Sequence, residues 1–248
     1  MGRISVELVP RTVEGLKNQL QLVESNMSKI DVINIPDLLS CELRGPEGSV
    51  EAKKFFPSVI PHIRAMDIDL EKPLPMADYL RENNIKEVLV IQGDPPQDMM
   101  HTVYPTESID VIWKFKKEMP WLKVYAGIDQ YRGSMRQEQY RIRRKLQAGA
   151  DGFFTQPFFD MRYLEMYADM LSGLNIYWGI TPVLSERSKS YWELKNSVVF
   201  PRGFETGMDW SIDFGRKVID FAQKNDSNVY LMPIKADFTA YVSGILAD

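Results

Sequence analysis

Hydrophobic positions along the chain follow two rhythms that take turns. Eight short runs dense in Val, Ile, Leu and aromatic residues predict strands: "ISVELV" (4–9), "DVINIP" (31–36), a run within "PSVIPHIRA" (57–65), "EVLVIQG" (87–93), "LKVYAGI" (122–128), "GFFTQ" (152–156), "NIYWGITPV" (175–183) and "NVYLMPI" (228–234). The fourth is apolar without a break from Val88 to Ile91, as a strand covered on both faces requires. Between the strands the period lengthens. Val13, Leu16, Leu20 and Val23 share one face of a helix over 12–26. Further helices are predicted over 76–85, ending at Asn83 and Asn84; over 106–119, with Thr106 as N-cap; over 134–149, stopped at Gly149; over 161–173, with Gly173 at its end; over 209–225; and over 236–246. No helix is predicted in the connections 37–56 and 184–208.

Eight strands alternating with helices, with no linker-like stretch, predict one domain over residues 1–248. The length matches the ~250 residues of a closed (β/α)8 TIM barrel. An open doubly wound sheet is the competitor, but the first strand-to-helix turn, "ELVPRTVEG", lacks the glycine-rich phosphate turn of that fold. In a barrel, chemistry gathers where strands end. The exits here carry Glu7, then His62 and Arg64, Gln92-Gly93-Asp94, Gly127 and Asp129, Thr155-Gln156, Thr181, and Lys235 after the eighth strand.

Composition narrows the function. A net charge of −4 argues against a general nucleic-acid binder, which needs a basic face. No apolar run is long enough to predict a membrane span, and "MGRISVELVPRT" does not read as a signal peptide. The single cysteine, Cys41, allows no intrachain disulfide and no multi-cysteine metal site, and fits a reducing, cytoplasmic setting. With only His62 and His101, a three-histidine zinc centre is excluded, and no metal is expected.

Each candidate has a plainer reading beside it. Glu7 alternates with Val6 and Leu8; facing a barrel interior it would hold its proton near neutrality and serve as a general acid, whereas paired with Arg11 or in solvent it would be ordinary. Asp94 follows a buried strand and Gly93, which lets the backbone turn close to a ligand; the alternative is an Asp-Pro turn. Gln156 can donate and accept at once, which suits the edge of a heterocycle, or it is a satisfied strand-end residue. Lys145 lies on a different side of its helix from Arg143, so it is separable from a solvated face of Arg141, Arg143 and Arg144. His62 on an apolar strand reads first as a core residue, and Phe158 or Phe159 as core or as the wall of a ring-binding slot.

The segments "SVELVPRT", "PHIRAMD", "VLVIQGDPP", "RRKLQAGADGFFTQPFFD" and "WGITPV" stand in the order found in the methylenetetrahydrofolate reductase family. The chain resembles that family over nearly its whole length, most specifically over 145–160. The resemblance implies a (β/α)8 barrel that binds FAD at its mouth, takes hydride from NADH or NADPH, and converts 5,10-methylenetetrahydrofolate to 5-methyltetrahydrofolate in the one-carbon metabolism that supplies methionine. It implies Glu7 as the acid that opens the folate's five-membered ring, and Asp94 as the carboxylate beside flavin and pterin. Gln156 becomes the folate contact, with Thr155 and Phe158 beside it. His62, Gly93, Gly127, Tyr131, Glu138 and Lys145 form the flavin set, Lys145 toward its phosphates.

The chain departs from the family pattern mainly on the flavin side. Gln92 replaces the arginine of "RGD", "AGIDQYRG" replaces a tyrosine-and-histidine loop, Glu138 replaces an aspartate, and "PDLLSCELRGPEGS" replaces a threonine- and glycine-rich loop. A flavin-free tetrahydrofolate-binding protein or methyl-transfer partner on the same barrel is therefore the second reading. A lyase or aldolase using Lys235 as a Schiff base is the third. Folate derivatives are the expected partners, and a homo-oligomer or a partner subunit is compatible with a barrel of this size.

Overall fold

In the computed structural model, which describes residues 2–26, 28–96 and 100–247, eight parallel strands close into one barrel in sequence order. They are β1 (Ile4–Glu7), β2 (Val32–Ile35), β3 (Val59–Arg64), β4 (Glu87–Ile91), β5 (Lys123–Ile128), β6 (Gly152–Pro157), β7 (Ile176–Ile180) and β8 (Asn228–Leu231). The last strand pairs with the first, Ser5 lying opposite both Val32 and Tyr230. The helices are α1 (Val13–Asn26), α2 (Gly45–Ala52), α3 (Ala77–Glu82), α4 (Ser108–Glu118), α5 (Met135–Gln147), α6 (Met161–Met170), α7 (Glu186–Asn196), α8 (Met208–Lys224) and α9 (Phe238–Leu246). No described helix is long and apolar enough to cross a membrane.

Two-residue alternation sorts each strand's side chains. Ile4, Val6, Ile33, Ile35, Val88, Val90, Val124, Ala126, Trp178 and Leu231 turn outward to meet the helices. Leu16, Leu20 and Val23 of α1 are fully buried in that layer, each contributing roughly 1.5–3 kcal/mol by leaving water. The inward set is smaller: Val32, Ile60, Leu89, Tyr125, Phe154, Tyr177, Tyr230 and Met232. Its aromatics interlock, with Phe154 and Tyr177 stacked at 4.0 Å and Tyr125 and Tyr230 edge-on to Phe154 at 5.4 and 5.1 Å.

Below this aromatic layer the barrel floor is ionic. Arg3 donates to both carboxylate oxygens of Glu87, at 2.7 and 2.9 Å, and to Tyr177 Oη and Ser58 Oγ, each at 2.9 Å. Tyr125 Oη adds a 2.7 Å bond to Glu87. Burial pushes the Glu87 carboxyl up, but the bonds from Arg3 and Tyr125 outweigh it and hold the group below its usual range.

Three details differ from the sequence-based expectation. The stretch "GPEGSVEA" forms α2 despite two glycines and a proline, because the glycines allow close approach: a Cβ on Gly45 would meet the His62 carbonyl at 2.5 Å, and one on Gly48 the Ile35 side chain at 2.8 Å. α7 forms behind Ser185, whose Oγ accepts from the Ser188 N–H, although Trp192 is its sole buried residue. Thr106 is not an N-cap: its hydroxyl donates to the Ile68 carbonyl at 2.7 Å, and α4 begins after Glu107.

Candidate active site

The C-terminal ends of the strands form a polar mouth above the aromatic layer. Glu7 closes β1 and Asn34 lies opposite it on β2. The Glu7 carboxylate accepts a hydrogen bond from Tyr230 Oη on β8. Burial pushes the Glu7 carboxyl up to about 7, a rise that the Tyr230 bond restrains. Burial, and then the neighbouring Glu7, raise the Tyr230 phenol well above its ordinary value, so it stays a donor. The hydrogen-bond partner of this half-buried carboxyl is the Tyr230 phenol, not Arg11.

Two further polar groups on β2 and β3 join this pair. Asn34 Oδ1 accepts from Ser5 Oγ at 3.1 Å, while its buried Nδ2 completes no hydrogen bond even though the amide lies close enough to lower the Tyr230 pKa. His62, edge-on to Tyr230 at 6.5 Å, buries its Nε2 without a partner, and burial lowers its pKa to about 3, so the ring is neutral. A buried nitrogen left without a partner costs about 1–3 kcal/mol, which a bound polar ligand or water would recover. Glu7, Asn34, His62 and Tyr230 thus converge from four neighbouring strands.

Around the rim, Gly93 takes φ +85°, a left-handed turn just after β4. The Asp94 side chain it leads to is exposed, while the Asp94 carbonyl accepts from Arg64 Nη2 at 2.7 Å. The register of β6 against β7 slips between Phe154 and Pro157. Gln156 is exposed at the rim, its carbonyl held by Gln130 Nε2 at 2.7 Å and its amide forming no hydrogen bond among the described residues. Thr155 instead turns into the sheet, accepting from the Gly179 N–H at 2.9 Å; it bridges strands rather than facing a ligand. Phe158 is fully buried behind the strands against Tyr163, Tyr167 and Trp178, so it lines no slot at the mouth.

The remaining expected residues gather at the β5 exit. Lys145 Nζ donates to the Gly127 carbonyl at 2.6 Å, and burial lowers its pKa although Glu138 pulls the other way. Glu138 is buried, accepting from Arg141 at 3.0 Å and the Asp129 N–H at 3.4 Å. Tyr131 Oη donates to the Pro157 carbonyl at 2.9 Å. At the β2 and β3 exits stands a network the sequence did not announce: Arg44 bridges Asp37 and Asp67, and Arg64 also reaches Asp67, at 3.1 Å. Lys235 is exposed, far from the desolvation that makes a Schiff-base lysine. Tyr230 and Asn34 were also missed. Asn34 had a signal, being the one polar residue in "VINI".

Residues 50–199, more than half of the chain, match the family described as methylenetetrahydrofolate reductase. A 5,10-methylenetetrahydrofolate reductase of Buchnera aphidicola is 23% identical over 169 residues, which cover 65% of this chain and 58% of that protein. The chain therefore matches little more than half the length of that relative. Among solved structures, an uncharacterized Clostridium thermocellum protein that binds two copies of 5-methyl-5,6,7,8-tetrahydrofolic acid superposes with a TM-score of 0.64 at 14% identity, covering 98% of this chain and 94% of that one. A 2,3-dimethylmalate lyase superposes at 0.59 with 10% identity, covering 99% of this chain and 76% of that one. At such identities these likenesses speak for the barrel alone.

Proposed function

The chain belongs to the methylenetetrahydrofolate reductase family, and from that premise we propose that it binds a reduced folate at the barrel mouth and interconverts its 5,10-methylene and 5-methyl forms. The observation that carries the reading is Glu7: a carboxyl that burial lifts to about 7, held by Tyr230 at the inner end of a polar mouth. A protonated carboxyl there delivers its proton to N10 of the folate, and the bond from N10 to the methylene carbon breaks. The cation left on N5 and that carbon is stabilised by a nearby carboxylate, the role given to Asp94. Reduction is complete when a hydride reaches the carbon. Gln156 meets the amide edge of the pterin, and the unpartnered nitrogens of Asn34 and His62 offer further contacts below it. The aromatic layer of Phe154, Tyr177 and Tyr230 keeps water from beneath the reacting carbon.

The reduced folate bound by the Clostridium thermocellum protein supports this ligand class, and also supports a second reading in which the chain binds or carries methyltetrahydrofolate without reducing it. Calorimetric titration with 5-methyltetrahydrofolate tests what the two readings share, and saturable one-site binding is the expected result. Turnover of 5,10-methylenetetrahydrofolate with a reduced donor separates them.

A further inference from the structure

We infer that α4 and the groove beside it are the contact face of a two-fold homodimer, in which α4 of one copy lies antiparallel to α4 of a second. This contact is on the outside of the barrel and is independent of what the mouth binds. Trp113, in the middle of α4, has 56% of its surface in water, and Tyr140 on α5 has 63%. Trp113 does not stand alone. With Leu70, Ile109 and Ala148 it lines an open groove of about 460 Å³ along α4, a size that holds a drug-sized ligand in other proteins. Arg144, on the same groove, lies over the Tyr140 ring at 6.0 Å. Trp, Tyr and Arg are the residues on which interfaces concentrate their binding energy.

The order of charges on α4 selects the occupant. Asp110, Trp113 and Lys117 are spaced i, i+3 and i+7, so they share one face of the helix. The acid stands one turn before the indole and the base one turn after it. A two-fold axis passing between Trp113 and Lys114 reverses the helix and sets the acid of each copy against the base of the other. The two resulting ion pairs flank the indoles, roughly 10 Å apart along the helix. Both charges are available. Lys117 forms no ion pair among the described residues: its ammonium rests over its own Trp113 ring at 5.0 Å, and the neighbouring Glu118 is taken by Lys114 at 2.7 Å. Asp110 uses one oxygen on the Glu107 N–H, at 3.1 Å, and keeps the other. A uniformly acidic or basic partner would match one of these charges and oppose the other, whereas the reversed helix matches both.

Helices packed in this way approach to about 8–10 Å, close enough for each Trp113 to leave water for the groove of the other copy. The exchange uses the same patch on both copies, so it closes at two and leaves no face for further growth. Exposed ion pairs add little attraction of their own; here they fix direction and register, and the indoles supply most of the binding.

The test is sedimentation velocity of the full chain over a dilution series, wild type beside Trp113→Ala, Asp110→Lys and Lys117→Asp. The wild type is expected to dimerise. Trp113→Ala should weaken the dimer about thirtyfold, and each charge reversal about tenfold or more, since it sets like charges opposite one another twice. Mixing the two reversals is the decisive arm. One variant then carries only bases on this face and the other only acids, so each self-associates poorly while an equimolar mixture should form a one-to-one dimer. A wild type that stays monomeric would overturn the inference and leave the groove to an unlike partner. A dimer indifferent to the reversals, or variants that do not pair on mixing, would overturn it as well. Asp110 also caps α4, so if Asp110→Lys does not fold, Lys117→Asp decides alone. A dimer weakened at least tenfold with an unchanged unfolding midpoint supports the contact, and an unweakened dimer overturns it.

Discussion

The two ends of this barrel hold one inward-facing glutamate each, and they are opposites. Glu87 at the floor is surrounded by donors, a two-pronged Arg3 and the Tyr125 hydroxyl, and is held ionised. Among the described residues Glu7 at the mouth has one phenol and no cation for a partner, and burial pushes it toward the protonated form near neutrality. The same side chain, facing the same interior, becomes a fastener in one place and a proton donor in the other. Burial alone decides neither outcome; the count and charge of the donors does.

The largest expected effect comes from Glu7→Gln, which keeps the Tyr230 contact but cannot release a proton. Turnover should fall by about 10²–10⁴, as for loss of a general acid, while affinity for 5-methyltetrahydrofolate stays within a few-fold; a steady-state assay beside a binding titration reads both. Glu87→Ala should do the reverse. It strands the Arg3 charge in the floor and costs about 3 kcal/mol of stability in denaturant unfolding, with little change in folate affinity of the protein that remains folded.

The pH dependence of stability separates the two carboxylates by sign. The Glu7 carboxyl rises on folding, from 4.5 to about 7, so the folded state holds the proton more tightly. Its contribution, about 3 kcal/mol, is complete below the unfolded value and is lost as pH climbs through 7; unfolding curves of Glu7→Gln should lack that loss. Glu87 is lowered on folding, so its contribution is present above the unfolded value and disappears as pH falls through the folded one.

A finer cut is Tyr230→Phe. The phenol restrains the rise at Glu7, so its removal should move the alkaline limb of the pH–rate profile up by about one unit. An unmoved limb would mean that Tyr230 only packs. The smallest effect is expected of the exposed Gln156: its replacement by Ala should weaken folate binding by about 1 kcal/mol, at the low end for one lost ligand hydrogen bond, measurable by calorimetry.

The strands were legible because each is a dense apolar run, and most helices because their stripes are regular. α2 and α7 were not, since their causes lie elsewhere: two glycines fitted against other strands in α2, and a polar helix with one buried tryptophan in α7. In the site, Glu7 stood out as a carboxylate in an apolar strand, but its partner Tyr230 is 223 positions away and leaves no local trace. Thr155 and Phe158 were placed beside Gln156 by the family resemblance, and the strand did not bear that out. Phe154 faces inward, so two-residue alternation already turns Thr155 away from the mouth, onto the Gly179 N–H, while Phe158 follows the register slip and packs behind the wall.

The seam between β1 and β8 has a consequence for how the molecule is made. The Arg3 N–H bonds to an Asn228 side chain 225 positions later, so one edge of β1 is met by β2 early in synthesis and the other only by β8, far downstream. Until β8 arrives, the first strand presents an open edge and Arg3 lacks part of its clamp. Nascent chains therefore carry an unclosed sheet until β8 emerges, and the exposed edge of β1 is where they are open to pairing with another chain.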